Sequence, residues 1–384
     1  MKKLLPGRIE RRTALGIMSG TSLDGVDVSL ARFRRNYSLR EHIDGYFNFP
    51  QRLRESLLEL ASSDSIRKTD MTLIDKQLGE FYAESVFRFL KRNGVSKRDI
   101  DLIGCHGQTI FHSAATPGKK SNVTLQIGMP DIMAQRFECT VVSDFRTADI
   151  AADGMGAPLT PIVHHYLFRD SRKNRMIVNI GGISNATYLP AAGTTEDILA
   201  TDCGPGNMLI DSITGQLFGL SCDKGGEIAA SGIPNVDLDR YLKRSPFVRR
   251  KLPISLGREQ FGHLFVGDLL RFARERKVSN NDTLNTVSRF TCWCIARVAR
   301  RFGAVDEVLV CGGGARNIFL MDTLRQIIPE VRISTTDDLG VDPDFVESIA
   351  FALLANLAVD GIPGSLIGVT GARRNVILGK ITLV

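Results

Sequence analysis

Three glycine-bearing turns hold the residues of this chain best suited to chemistry. The first reads Gly20-Thr21-Ser22-Leu23-Asp24-Gly25-Val26-Asp27. A tight turn of this kind presents consecutive backbone N–H groups, a nest for phosphate oxygens. Thr21 and Ser22 add hydroxyl donors, and Asp24 or Asp27 can hold a magnesium ion through its waters. An ordinary hairpin turn, rich in the same residue types, is the competing account. The second is Asp202-Cys203-Gly204-Pro205-Gly206-Asn207, read as the passage from the carboxyl end of a strand into a helix, where open α/β sheets place ligands. A carboxylate there serves as general base when it reaches a water or a hydroxyl; simple capping of the helix by Asp202 or Asn207 is the alternative. The third is Cys311-Gly312-Gly313-Gly314-Ala315-Arg316-Asn317. Three glycines let a flat ligand pack on bare backbone. That is more than a strand-to-helix turn capped by Asn317 needs, so the pattern leans towards a nucleotide contact.

Other polar residues are less distinctive. Glu347 falls in the first turn of an apolar helix, a place the helix dipole favours for any glutamate. Asp144 and Arg146 follow a strand and either hold polar substrate groups or pair internally. His106 reads equally as a hydrogen-bonded structural residue or a ligand contact, and His164-His165 read as structural. Arg249-Arg250-Lys251 is a solvated run, and Gly118-Lys119-Lys120-Ser121 lacks the glycine spacing of a Walker A loop.

The elements that must position these groups show in the hydrophobic pattern. Residues 13–18 read as a buried strand and 19–25 as a turn; Val26, Val28 and Leu30 then alternate with Asp27 and Ser29 as a half-buried strand. Apolar residues at helical spacing follow in 53–60 and 73–90, then strands at 101–105, 176–180 and 307–311. Leu209, Ile213 and Leu217 form a helical stripe, as do Val346, Ile349, Leu353 and Leu357, the latter helix starting near Asp342-Pro343. Strands alternating with helices indicate an α/β fold with partly parallel sheets. Two apolar hairpins, at 13–30 and 176–189, suggest a duplicated sheet core with one hairpin per lobe. At 384 residues the chain exceeds one hydrophobic core and suits two lobes.

Composition narrows the function classes. With 43% hydrophobic and 24% charged residues the chain is an ordinary globular one. The net charge of +7 suits nucleic acid or anionic small molecules, but no arginine–aromatic interleaving or zinc-ligand spacing favours the former. The seven cysteines are scattered, mostly in apolar runs, which argues for a reducing compartment. Residues 1–7 lack the apolar core of a signal peptide, and the longest apolar segment, 349–359, is too short to span a bilayer. A cytoplasmic, soluble protein is expected.

Taken in order, the segments resemble the anhydro-N-acetylmuramic acid kinase family of the acetate and sugar kinase/actin superfamily. The resemblance rests on Met18 through Asp27, Gly104-Cys105-His106-Gly107-Gln108-Thr109, Leu125-Gln126-Ile127-Gly128 and Asp144-Phe145-Arg146. It continues with Gly156-Ala157-Pro158-Leu159, Asn179 through Asn185, Asp202 through Asn207, Cys311 through Gly314, Glu347 with Ala350-Phe351-Ala352, and Val369-Thr370-Gly371-Ala372. The matches keep family order from about residue 15 to 379. Each motif alone is weak; the ordered set is specific.

The resemblance implies two actin-like (ribonuclease H-like) lobes around an interdomain cleft, the first from residues 13–140 completed by 345–384, the second from 141–344. It implies ATP and Mg2+ as cofactors, an amino sugar as substrate, usually a homodimer, and neither nucleic acid nor membrane as partner. The family hydrolytically opens 1,6-anhydro-N-acetylmuramic acid and phosphorylates its 6-oxygen, in cell-wall recycling. By residue-wise carry-over, Asp202 is the catalytic base and Glu347 its assistant. Gly20, Thr21, Ser22, Leu23, Asp24, Gly25, Val26 and Asp27 embrace the ATP phosphates, with Asp24 at the metal, and Gly312, Gly313 and Gly314 lie by the nucleoside. His106, Gln108, Asp144 and Arg146 bind the sugar.

This chain departs from the family pattern at Asp153 and Met155 in the loop 153–158, at Leu256 in Ser255-Leu256-Gly257-Arg258-Glu259, and at Thr147, where a second arginine is usual. An extra carboxylate and a lost amide near the sugar are therefore expected. Two rivals stand beside the main reading: a related sugar kinase acting on an ordinary hydroxyl, and a non-catalytic ATP-dependent sensor or assembly protein. Intact Asp24, Asp202 and Glu347 weigh against the second.

Overall fold

The computed structural model of the protein describes residues 8–20, 22–63, 65–113 and 122–384, the side chain of Arg258 excepted. Thr21 and the segment Gly118-Lys119-Lys120-Ser121 lie outside the described residues.

The chain divides into two compact units, residues 1–167 with 345–384, and residues 168–344. In the first, β1 (Ala14–Ser19), β2 (Gly25–Phe33) and β3 (Leu39–Asn48) form an antiparallel meander. β4 (Leu102–Ser113) joins β1 in parallel, carries the hairpin partner β5 (Val123–Ile127) on its far end, and is followed by parallel β6 (Thr140–Ser143). The second sheet repeats this plan. β7 (Arg175–Ile180), β8 (Ile183–Leu189) and β9 (Leu199–Pro205) are antiparallel, and β10 (Glu307–Cys311) and β11 (Arg332–Thr335) extend the β7 side in parallel. The expected α/β fold with a duplicated sheet core is thus present, five strands of the first sheet matching the five of the second while β5 and β12 (Lys380–Thr382) are additions to the first.

The boundary between units differs from the expected 140/141. β6 pairs with β4 and, antiparallel, with β12 (Lys380–Thr382), so residues 141–167 belong to the first unit and the second begins at Phe168. The chain returns to the first unit at Phe345. Cores are separate: Ile17, Val28, Tyr82 and Phe89 pack in one, Val178, Cys203, Ile213 and Phe290 in the other.

One helix positions much of the first unit. Val346–Val359 buries twelve of its fourteen residues, as an apolar stripe this wide requires. It lies so close to the sheet that a Cβ on Gly16 would stand 1.8 Å from the Ser348 carbonyl oxygen, and one on Gly104 would stand 2.0 Å from that of Phe351. The helix starts at Val346, three residues past Pro343, because Phe345 rather than an early proline is its N-cap. Among the described residues no helix is long and apolar enough to cross a membrane. The seven cysteines form no disulfide with one another, and of them Cys222 is exposed.

Candidate functional site

The turn between β1 and β2 is built by backbone bonds. The Gly20 carbonyl accepts the Leu23 N–H at 3.3 Å, and Leu23 takes a positive φ of 54°. The stem is anchored from two sides: Ser19 Oγ lies 2.5 Å from the Tyr82 hydroxyl, and Gln108 Nε2 donates to the Gly20 carbonyl at 3.1 Å. Leu23 and Val26 point into the core, so they serve the turn by packing. Ser22 and Asp24 face solvent, the Ser22 hydroxyl donating to Asp24 Oδ1 at 2.7 Å. Burial, with the Asp24 and Asp27 carboxylates, pushes the Tyr46 hydroxyl up to about 12. Among the described residues no group of three or more His, Cys, Asp or Glu could hold a metal. A lone carboxylate beside bare backbone fits Mg2+, which keeps its waters and takes its remaining oxygens from phosphates.

Further along the first unit, the middle of β4 borders a cavity of about 240 Å³ lined by His106, Gln126, Asp144 and Lys380 among others. Gly107, at φ 76°, lies between His106 and Gln108, and a Cβ there would meet the Ile127 carbonyl oxygen at 2.7 Å. His106 Nε2 accepts from Arg146 Nε at 3.2 Å and Nη2 at 3.0 Å, which leaves the ring proton on Nδ1. Among the described residues that nitrogen is buried without a hydrogen-bond partner, as is Gln108 Oε1. Burial, then the neighbouring Arg146, pulls the His106 pKa well below its usual value, so the ring is neutral. Burial also lowers Arg146 to about 10, opposed by the Glu347 carboxylate. Asp144 binds Lys380 at 2.6 Å and the Thr147 hydroxyl at 2.5 Å; burial opposes its ionisation, but these partners hold its pKa below the usual carboxylate range.

In the second unit Asp202 stands within β9 rather than past a strand's end, which corrects the sequence placement. The strand runs on to Pro205, and Asn207 opens the helix Asn207–Phe218. Asp202 Oδ2 accepts the Leu256 N–H at 2.7 Å, while Oδ1 has no hydrogen bond or ion pair among the described residues. Burial pushes the carboxyl up to about 6 against the opposing Leu256 bond and the Arg250 charge. The three glycines divide by role. Cβ atoms on Gly312 and Gly314 would stand 2.2 Å from Asn179 Oδ1 and 2.3 Å from Ile180 Cγ2, so packing demands both. Gly313 alone faces open space, its nearest neighbour being Asn207 Nδ2 at 3.5 Å from such a Cβ.

Three of the four departures from the family pattern lie away from the cavity, while Thr147 lines it and donates its hydroxyl to Asp144. Asp153 is exposed and ion-paired with Arg373, and the Met155 N–H bonds the Thr370 carbonyl; neither residue lines the cavity. The Leu256 side chain is buried in the core, and only its backbone meets Asp202. The expected extra carboxylate near the sugar is therefore not at this cavity. Sequence reasoning missed Asp75, whose Oδ1 takes the Gly128 and Met129 N–H groups at 2.6 and 2.9 Å, and Lys380. Asp75 sits mid-helix and Lys380 in a three-residue strand near the end, and neither carries a motif.

A profile of the anhydro-N-acetylmuramic acid kinase family matches residues 12–384. The chain is 36% identical over 386 residues to an anhydro-N-acetylmuramic acid kinase of Caldanaerobacter subterraneus, covering 97% of this chain and 98% of that one. It is 39% identical over 373 residues to an anhydro-N-acetylmuramic acid kinase of Hahella chejuensis, covering 97% and 99%. Among solved structures, component A of the (R)-2-hydroxyglutaryl-CoA dehydratase of Acidaminococcus fermentans is similar with a TM-score of 0.49 at 12% identity, covering 91% of this chain and 99% of that one.

Proposed function

Because the chain belongs to the anhydro-N-acetylmuramic acid kinase family, we propose that it uses ATP to convert 1,6-anhydro-N-acetylmuramic acid and water into N-acetylmuramic acid 6-phosphate. The observation that carries this reading is Asp202, a half-buried carboxylate with one oxygen fixed by the Leu256 N–H and the other without a hydrogen bond or ion pair among the described residues. A base so placed, with its pKa raised to about 6, is ionised at neutral pH yet still takes a proton readily.

In the proposed reaction Asp202 removes a proton from water as the water oxygen bonds to the anomeric carbon, as in inverting glycoside hydrolysis. The bond from that carbon to the 6-oxygen breaks, and the freed oxygen bonds to the γ-phosphorus as ADP departs, so it needs no proton of its own. Glu347 is the second carboxylate of the step. The turn from Gly20 to Asp27, Thr21 included, cradles the phosphates, and Gly312 to Gly314 meet the nucleoside. His106, Asp144 and Arg146 hold the sugar's polar groups; Gln108 commits its nitrogen to Gly20 and offers Oε1. Asp24 would hold a magnesium ion, which would supply neutralisation of the phosphate charge. The protein is proposed to act as a cytoplasmic homodimer in cell-wall recycling.

The test is an ADP-release assay with magnesium, ATP and the anhydro-sugar. One ADP per sugar consumed is expected, with none when magnesium is chelated. Release with only an ordinary sugar would assign the related-kinase reading. Tight ATP binding without release on any sugar would assign the non-catalytic one.

A further inference from the structure

The helix Asn207–Phe218 holds a carboxylate that the proposed reaction does not use. Asp211 is half-buried, and among the described residues it has neither hydrogen bond nor ion pair. Burial, and then a charged neighbour that is another carboxylate, Asp223, push the Asp211 carboxyl up to about 6. Asp223 cannot relieve it. That side chain is itself committed to the N–H groups of Ile228 and Ala229, each at 2.9 Å, and so builds the turn at Gly225-Gly226. A half-buried carboxylate without donors is costly, and a chain with a net charge of +7 has cations to spare for one that is merely structural.

Where Asp211 stands gives it a use. Residues four apart share a helix face, so Asp211 follows Asn207 one turn along, roughly 5–6 Å away. Asn207 fixes the near end of that face: its Nδ2 donates to the Ile180 carbonyl at 3.1 Å and lies beside Gly313, the one glycine of the three with open space. The turn that Asp223 builds is packed against the same loop, since a Cβ on Gly226 would stand 2.3 Å from Asn317 Oδ1, just past the triple glycine. Resting on the reading of Gly312 to Gly314 as the nucleoside contact, we infer that Asp211 accepts hydrogen bonds from the vicinal hydroxyls of the nucleotide's ribose. A diol offers two O–H donors side by side, matching the two oxygens of a carboxylate. Asp211 thereby selects ribonucleotides over deoxyribonucleotides.

Equilibrium binding tests this without requiring turnover. Calorimetric titration of the full chain with ATP, 2′-deoxy-ATP and 3′-deoxy-ATP is expected to show each missing hydroxyl weakening binding by about tenfold. Asp211→Ala should bind ATP about tenfold or more weakly and bind all three nucleotides within about twofold of one another. Asp211→Asn, which keeps one acceptor oxygen, should recover part of the discrimination, and it serves as the reporter if the alanine variant fails to fold. Wild-type protein that binds the three alike, or binds none, overturns the inference. So does Asp211→Ala or Asp211→Asn discriminating as strongly as wild type, which would place the ribose elsewhere. Intact discrimination in a protein that never phosphorylates the anhydro-sugar would sink the proposed function and leave this assignment standing.

Discussion

Asp202→Asn is expected to lower turnover of the anhydro-sugar by about 10²–10⁴-fold, the contribution typical of a general base. The substitution is nearly isosteric, and the amide oxygen can still accept the Leu256 N–H, so the β9 backbone should stay in place. What disappears is an oxygen that can take a proton. The wild-type enzyme should lose activity as pH falls through about 6, because only the ionised carboxylate acts as base. The stability sign is opposite. A carboxyl raised above its unfolded pKa contributes stability that is present at low pH and lost as pH rises through about 6. Asp202→Asn should therefore melt at the same temperature as wild type or higher at pH 8. Scanning calorimetry and steady-state kinetics on one preparation check both halves. A variant that is inactive because it melts well below wild type would remove the catalytic interpretation.

Gly16→Ala should destabilise the protein by about 3 kcal/mol or more, at or beyond the upper end for overpacked cores. The added methyl would stand 1.8 Å from the Ser348 carbonyl oxygen, and that atom is backbone, so no side-chain rotation relieves it. The helix must lift from β1, carrying the adjacent Glu347 with it, and turnover should fall together with stability. Gly267→Ala is the matched control: it lies in the exposed-face helix His263–Glu275 with nothing within 4 Å of a new Cβ, and alanine there should be neutral or stabilising by up to about 1 kcal/mol. Denaturant unfolding compares the two. Equal stability for both variants would contradict the close helix-on-sheet packing.

Much of this was legible from local pattern. The two hairpins with glycine-rich turns announce the duplication, because each sheet begins with its antiparallel meander. The 140/141 boundary was not legible: β6 is held in the first sheet by β12, some 240 residues later, and such pairing leaves no local trace. Alternation around Val26 suggested a half-buried strand, yet β2 is covered on both faces. Ser29 is fully buried because its hydroxyl bonds Asp44 at 2.6 Å and meets Ser348 at 2.6 Å. Pro205 and Gly206 drew the expected strand end too early, since proline at the last position of an edge strand costs no ladder bond. Asp75 and Lys380 reach the cavity only through tertiary packing, so no spacing rule singles them out. The triple glycine pointed to a bared backbone; which glycine faces open space depends on Asn179 and Ile180, far away in sequence.

The most direct test of the proposed reaction is a short incubation of the protein with magnesium, ATP and 1,6-anhydro-N-acetylmuramic acid in oxygen-18 water, read by mass spectrometry. Ring opening by water coupled to phosphorylation predicts a 6-phosphate product carrying one heavy oxygen at the anomeric carbon, and none of that product from Asp202→Asn at matched times. A phosphorylated product with no heavy oxygen there, or with its anhydro bridge intact, would contradict it.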